Sequence, residues 1–531
     1  MIEGTRNRSG GWLAIAGAIA AALAWRLLAF SGPLGSDDVT YFERALDVAN
    51  GVWSTADYNG ALRYGFNIPA GLMLKLFGAG EFQLNLWPLL CSLLEIGLVW
   101  WFCRRRFDGR VAAIAACLMA LTPLHVATAS RLHADAVANM FVTLSFVVFL
   151  ESERRRSVPL AFAAGLAMGA VFWVKELLGV ALLAFLLWPL AVRRLSLRWL
   201  WVVLGGGCML VGHFLLMQAV AGDPLHAFKV VLSHIGRNFI ATKVEDGAFY
   251  YVYYLLLDIR HTALLGPLGL IGLYLGLRPR GLDEASQAAA VKDTAFWLFA
   301  LLIVLSLFPV SFSPFRLAMK QANYLGLFIA PLAVLAAVAI CRVGHGLRLA
   351  ALGLMVLLSV PLGILECQAY RVFIANGRGL VSYALANPDT FILGSANNFK
   401  IATLYAYSHD DPAFLRRFRM LRQGVPMPAA PAGLRTVVVR DPETIDQNPE
   451  NDLLAQIPPC WRPLGAVTPE GMGLPGRVTE AAAHLARGLP VVGARVGDKL
   501  DALAHPRPAT LWAPPPDDPA CRNAAGGATP R

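Results

Sequence analysis

Apolar stretches close to the length of a bilayer core recur along most of this chain, and they dictate its fold class. They fall at roughly 11–30, 84–103, 111–129, 133–150, 159–174, 177–192, 199–220, 262–277, 295–313, 323–341 and 349–366. A membrane-spanning helix takes about 20 such residues. The chain therefore reads as an α-helical polytopic membrane protein with about eleven transmembrane helices. Composition agrees, since 15% of its 531 residues are charged and 56% hydrophobic, against roughly 25% charged in soluble domains.

The net charge of +11 is topological. Arginines cluster in the short segments between apolar blocks: Arg104 to Arg106, Arg154 to Arg156, Arg193 with Arg194, Arg278 with Arg280, and Arg342 with Arg348. Basic residues held in short cytoplasmic loops orient a membrane protein, and nothing in this distribution calls for nucleic acid. With the N-terminus inside, beside Arg6 and Arg8, every cluster falls on the cytoplasmic side, and an odd number of spans leaves the C-terminal segment outside. The expected location is a bacterial inner membrane, crossed many times. The first apolar block lacks a small-residue cleavage site and is expected to stay as a helix.

The eight cysteines form no CxxC pair or metal-ligand spacing. Cys91, Cys103, Cys117, Cys208 and Cys341 lie in or beside spans, whereas Cys460 and Cys521 suit a disulfide if the tail faces an oxidising compartment.

This topology puts most of the notable polar residues on the outer side. Residues 31–83 form a first external loop expected to carry interfacial helices, since 68–77 is apolar and helical in pattern. Asp37 and Asp38 open that loop, and either cap its first helix or supply chemistry. Asp135 lies at the outer start of the fourth span, and Lys175 with Glu176 at the turn between the fifth and sixth. Arg316, Lys320 and Tyr324 recur every four residues, which places them on one face if a helix runs through them. Two cations and a phenol at the membrane surface suit a phosphate or diphosphate; the alternative is snorkelling to lipid headgroups. Asp37 and Asp135, if they converge, could hold a divalent cation such as Mg or Mn, or one of them could act as general base toward a hydroxyl. Glu95 and His213, inside spans, are expected to be bundle-internal hydrogen-bonding partners. Tyr250 to Tyr254 read as an interfacial aromatic belt that could also stack on sugar.

From 367 to 505 the composition becomes that of a soluble domain. Thr390–Gly394 and 435–439 have the pattern of buried strands, so a small C-terminal α/β extracytoplasmic domain is expected. Residues 506–531, rich in Pro, Ala and Asp, are expected to be disordered.

Taken together, the chain resembles the GT-C superfamily of membrane glycosyltransferases that use polyprenyl-phosphate sugars. It looks most like bacterial relatives of protein O-mannosyltransferases and of the lipid A aminoarabinose transferase. The likeness rests on the run from Ser36 to Tyr41, on Arg63-Tyr64-Gly65 and Leu76-Phe77-Gly78, and on His133-Ala134-Asp135. It continues through Val174-Lys175-Glu176 and from Lys320 to Tyr324, and it covers about residues 10–366. The resemblance implies a transmembrane catalytic domain over 1–366, a polyprenyl-phosphate-linked sugar as donor, and an inverting transfer to a hydroxyl of an envelope glycan, lipid or protein. Asp37 or Asp38 would lead as the carboxylate, Asp135 would be a second acid, and Lys175, Arg316, Lys320 and Tyr324 would surround the donor phosphate. The competing reading is a transporter or flippase that moves a lipid-linked sugar without covalent chemistry. That class favours internal repeats with broken helices at the midplane, and no clear repeat is visible here.

Overall fold

The apolar blocks become helices in the computed structural model. It describes residues 3–35, 37–56, 58–241, 247–278, 282–313, 315–421, 427–445, 457–490 and 493–515. Ser36, Arg280 and Cys521, named above, lie outside these residues. Among the described residues six helices are long and apolar enough to cross a membrane, and a bent pair, Gly109–Leu121 with Pro123–Ala129, makes another. Four shorter apolar helices account for the remaining blocks. The chain divides into two compact units: Met1–Phe30, Asp47–Met73 and Asn85–Glu366 form the first, while Ser31–Leu46, Leu74–Leu84 and Cys367–Arg531 form the second.

The first unit is the helical one. Its bend of 62° follows from Pro123, which has no N–H and whose ring blocks continuation of the preceding turn. The Leu124 N–H, diverted from the helix ladder, donates to the carbonyl of His261 at 2.9 Å. Two helices, Val158–Val174 and Trp199–Ala221, approach so closely that a Cβ on Gly165 or Gly205 would enter the facing backbone, as small residues permit in membrane bundles. The arginine clusters gather at one end of the bundle. Arg105 and Arg154 donate to Glu151 at 3.0 and 2.9 Å, Arg194 and Arg198 to Glu153 at 3.3 and 3.2 Å, and Arg106 pairs with Asp293. Glu151 and Glu153 lie near the C-terminus of the Ala134–Arg155 helix. Asp135 lies in its first turn, about 25 Å away at 1.5 Å per residue, which is close to the thickness of a hydrocarbon core.

One sequence expectation fails here. The helix Leu282–Leu307 ends before residue 313, and the chain turns back as a hairpin of β1 (Pro309–Phe312) and β2 (Phe315–Leu317), antiparallel with Ser311 opposite Arg316. Pro309 cannot donate to a continuing helix, and the aromatic and β-branched residues beyond it pair as strands.

In the second unit, β3 (Thr390–Gly394), β4 (Phe418–Met420), β5 (Arg435–Arg440), β6 (Arg462–Ala466) and β7 (Thr510–Ala513) form one sheet in the order β4-β3-β5-β7-β6. β3 is parallel to β4 and β5, and β7 is antiparallel to β5 and β6. The strands expected from the apolar runs are β3 and β5. Phe391, Leu393, Val438 and Trp461 form the core of one face. The helix Ala396–His409 after β3 starts with a capping box between Ser395 and Asn398. Its Asn397 abuts Gly35, where a Cβ would collide with the amide oxygen. Asp441, directly after β5, is 1% exposed. Its carboxylate accepts from Asn376 Nδ2 at 2.7 Å, Asn398 Nδ2 at 3.1 Å and the Glu443 N–H at 3.1 Å. Cys460 is disulfide-bonded.

The expectation that 506–531 lacks structure is corrected in part. Thr510–Ala513 is an inner strand of the sheet, because a short run of Thr, Leu and Trp supplies the β-propensity and the burial that the flanking Pro and Ala residues obscure. The two units divide between Glu366 and Cys367, within the continuous helix His345–Ala386.

Two outcomes are expected. Deleting everything after Arg507 removes the strand between β5 and β6, so residues 367–505 should become susceptible to limited proteolysis; a resistant fragment would contradict the sheet order. Burial pushes the Asp441 carboxyl above its ordinary value, against the hydrogen bonds from Asn376 and Asn398. A raised acid binds its proton more readily when folded, so its contribution is fully present at low pH and is lost as pH rises through the raised value. Melting temperatures between about pH 4 and 7 should show this component, and Asp441→Asn should remove it.

Candidate functional site

The Ala134–Arg155 helix begins with polar residues that the rest of its apolar sequence cannot accommodate without partners. Asp135 is 1% exposed, and a buried carboxylate is stable only when paired. The pairing comes from Lys175, whose backbone is extended (φ −157°, ψ 99°) at the break between the helix Val158–Val174 and a 3-10 helix, Glu176–Leu187. That break lets the side chain leave its own helix. Lys175 Nζ donates to both Asp135 oxygens, at 2.7 and 2.9 Å. His133 Nδ1 lies 2.6 Å from Asp135 Oδ2, and Asn323 Nδ2 donates to the same oxygen at 3.0 Å.

The ammonium of Lys175 also sits over the ring of Tyr324, 4.8 Å from its centroid, a cation–π contact strengthened by desolvation. Next to Lys175 in sequence, Glu176 turns to a different partner and accepts from Arg63 Nε at 3.2 Å. Arg63 and Glu176 are both buried, and both lie within electrostatic reach of Tyr324. The first unit thus encloses a cluster of Arg63, Glu176, Lys175, Asp135, His133, Asn323 and Tyr324. Tyr324 also lines a narrow apolar recess with Leu178, Val180, Tyr251, Leu305, Phe308, Ala318 and Met319.

Of the residues expected from sequence, Asp135, Lys175 and Tyr324 come together. Lys175 is balanced by Asp135, forty residues away, and not by its neighbour Glu176. The expectation of one helical face for Arg316, Lys320 and Tyr324 is corrected: Arg316 is in β2, Lys320 follows in an irregular stretch, and Tyr324 is in a 3-10 turn, Ala322–Leu325. Lys320 is buried at 4% exposure, and its ammonium donates to the carbonyl of Ala318 at 3.3 Å, beside the recess. Arg316 is half-buried.

Asp37 and Asp38 belong to the second unit, in the first turn of the helix Asp37–Ala49. Asp38 is buried and accepts the Leu34 N–H at 2.6 Å, so it shapes the turn into the helix. Asp37 is half-buried. His133 and Asn323 were quoted only as parts of longer motifs, and Arg63 and Glu176 had no assigned role. The signal available for them was an unmatched ionisable group inside otherwise apolar sequence.

Among the described residues no group of three or more His, Cys, Asp or Glu side chains is arranged to hold a metal ion. Asp135, whose oxygens receive an ammonium and an amide, does not fit a divalent cation unless Lys175 is displaced. Elsewhere in the bundle Glu95 is an internal partner, as expected. It accepts from Thr143 at 2.8 Å and meets His125 Nε2 at 3.1 Å, while Arg26 Nη2 lies 2.6 Å from His125 Nδ1.

A family model described as dolichyl-phosphate-mannose-protein mannosyltransferase matches residues 67–216. The undecaprenyl phosphate-alpha-4-amino-4-deoxy-L-arabinose arabinosyl transferase of Edwardsiella ictaluri is 28% identical over 323 residues, 57% of this chain and 54% of that protein. The match thus spans about half of that relative's length. Among solved structures, ArnT from Cupriavidus metallidurans in the apo state superposes with a TM-score of 0.53 at 19% identity, over 83% of this chain and 95% of that one. ArnT from the same organism bound to undecaprenyl phosphate gives 0.53 at 18% identity, with the same coverage. In fold and in these sequence matches the chain is similar to the GT-C superfamily of membrane glycosyltransferases.

Proposed function

We propose that this protein transfers a sugar from a polyprenyl-phosphate donor to a hydroxyl group at the outer face of the bacterial inner membrane, with inversion at the anomeric carbon. The observation that carries this reading is the buried cluster of ion pairs beside an apolar recess, with Lys175 over Tyr324, Tyr324 lining the recess and Lys320 buried beside it. A lipid phosphate needs both elements: a fixed positive charge for its head and an apolar slot for the isoprenoid next to it. The transferase named for Edwardsiella ictaluri and the undecaprenyl-phosphate-bound ArnT support the same donor class.

In this reading the acceptor hydroxyl attacks the anomeric carbon as its proton passes to a carboxylate base, and the carbon–oxygen bond to phosphate breaks. The lipid phosphate leaves with the electron pair, stabilised by Lys175, Lys320 and Arg316. Asp37 is the candidate for that base that the sequence resemblance offers. Asp135 holds the Lys175 ammonium in place and charged. The acceptor is a glycan, lipid or protein hydroxyl of the envelope, and the transferred sugar is a hexose or pentose. The arginine clusters at one end of the first unit and the disulfide at Cys460 support an extracytoplasmic second unit. A flippase without chemistry is the alternative that the experiments must separate.

Three outcomes test the proposal. Asp37→Asn should cut transfer by about 10²–10⁴-fold, the range for loss of a general base, while donor binding persists; donor translocation without sugar release would favour the flippase. Lys175→Met and Asp135→Asn should each destabilise the protein by about 3–5 kcal/mol, since each leaves a buried charge alone. The double variant should recover most of that stability in thermal unfolding without recovering transfer. A divalent cation, Mg or Mn, held by Asp37 with Asp135 would make transfer sensitive to EDTA, whereas the engaged state of Asp135 predicts that transfer survives chelation.

A further inference from the structure

The short helix Tyr250–Leu256 presents three rows of side chains at i, i+4 spacing. Tyr251 and Leu255 are buried, with Tyr251 packed 5.4 Å from Phe328 and lining the apolar recess. Phe249, Tyr253 and Leu257 form the exposed apolar row. Between them lie Tyr250 and Tyr254, and Asp258 follows just after the helix end. The rings of Tyr250 and Tyr254 are 4.6 Å apart, and Tyr254 continues to His261 at 5.9 Å. Charged groups border the rings. Arg260 Nε donates to Asp258 at 3.0 and 2.9 Å, and His261 Nδ1 lies 3.3 Å from Glu366.

We propose that Tyr250 and Tyr254, with Asp258 and Arg260 just beyond the helix, form a carbohydrate-binding platform that holds a pyranose ring beside the donor recess. A pyranose has one face of C–H bonds and a rim of hydroxyls. The C–H face carries partial positive charge and packs on the electron-rich face of an aromatic ring. The rim needs acceptors and donors, which Asp258, Glu366 and Arg260 supply. An aromatic belt alone does not account for the row, because carboxylates are costly against lipid and two of them flank these rings. The hydrogen bonds from Arg260 hold Asp258 below its ordinary carboxylate range, so it remains an acceptor at neutral pH. Because Tyr251, on the next row, lines the recess, the platform and the recess share one helix.

The sugar could belong to the acceptor or to the donor itself. That choice rests on the transferase reading, while binding does not, so the test measures binding without turnover. The protein is placed in lipid nanodiscs free of sugar detergents, and saturation-transfer NMR is recorded with methyl α-D-mannopyranoside. Affinities for undecaprenyl phosphate-mannose and bare undecaprenyl phosphate are measured in parallel. Tyr254→Ala and Asp258→Ala should lower either glycoside saturation or affinity for the sugar-bearing lipid at least tenfold, with bare lipid phosphate unchanged. Tyr254→Phe, which keeps the ring, and Phe249→Ala, on the neighbouring row, should retain binding. Loss with the free glycoside alone identifies an acceptor subsite, and loss with the sugar-bearing lipid identifies a donor-sugar subsite. If Tyr254→Ala changes neither while its melting temperature matches wild type, the platform does not exist.

Discussion

The geometry of the candidate site depends on one ion pair, Lys175 with Asp135, closed inside a helical bundle where an unpaired charge is not tolerated. Taking either ion out of water costs several kcal/mol, and only close, multiply bonded geometry repays it. The structure meets that condition with two contacts from the ammonium, an amide from Asn323 and the nearby His133 nitrogen. The pair fixes the break between the Val158–Val174 helix and the following 3-10 helix against the start of the Ala134–Arg155 helix. Tyr324 is then held by its ring under the ammonium. Remote stretches of sequence are thus tied to one point by electrostatics.

The spans were legible because hydropathy over about 20 residues is a strong, local signal. Each apolar block became helix over most of its length, including the pair split by Pro123, and only the end of the 295–313 block did not. The arginine clusters were legible for a similar reason, and Arg105, Arg154, Arg155, Arg194 and Arg198 meet around Glu151 and Glu153. The site was legible in its residue types but not in its pairing. Lys175 beside Glu176 looks self-neutralising on paper, yet adjacent residues at a helix end diverge, and each found a distant partner. The spacing of Arg316, Lys320 and Tyr324 misled because a periodicity of four has meaning only where a helix exists. Here Pro309 ended the helix and a hairpin took its place.

Asp37 and Asp38 illustrate what sequence leaves open even where a resemblance is strong. Two adjacent acids are interchangeable as letters. Folding separates them, because successive residues at a helix start point about 100° apart, and only one can reach back to the Leu34 N–H. That hydrogen bond to Asp38 is what tells the two acids apart.

The sheet order also fixes when the second unit can become complete. β7 joins β5 to β6, so the parallel half, β4-β3-β5, can associate before residues 510–513 are made, while β6 has no neighbour in the sheet until they arrive. The closing strand comes after every apolar helix in the sequence, so the helices are synthesised before this sheet can be completed.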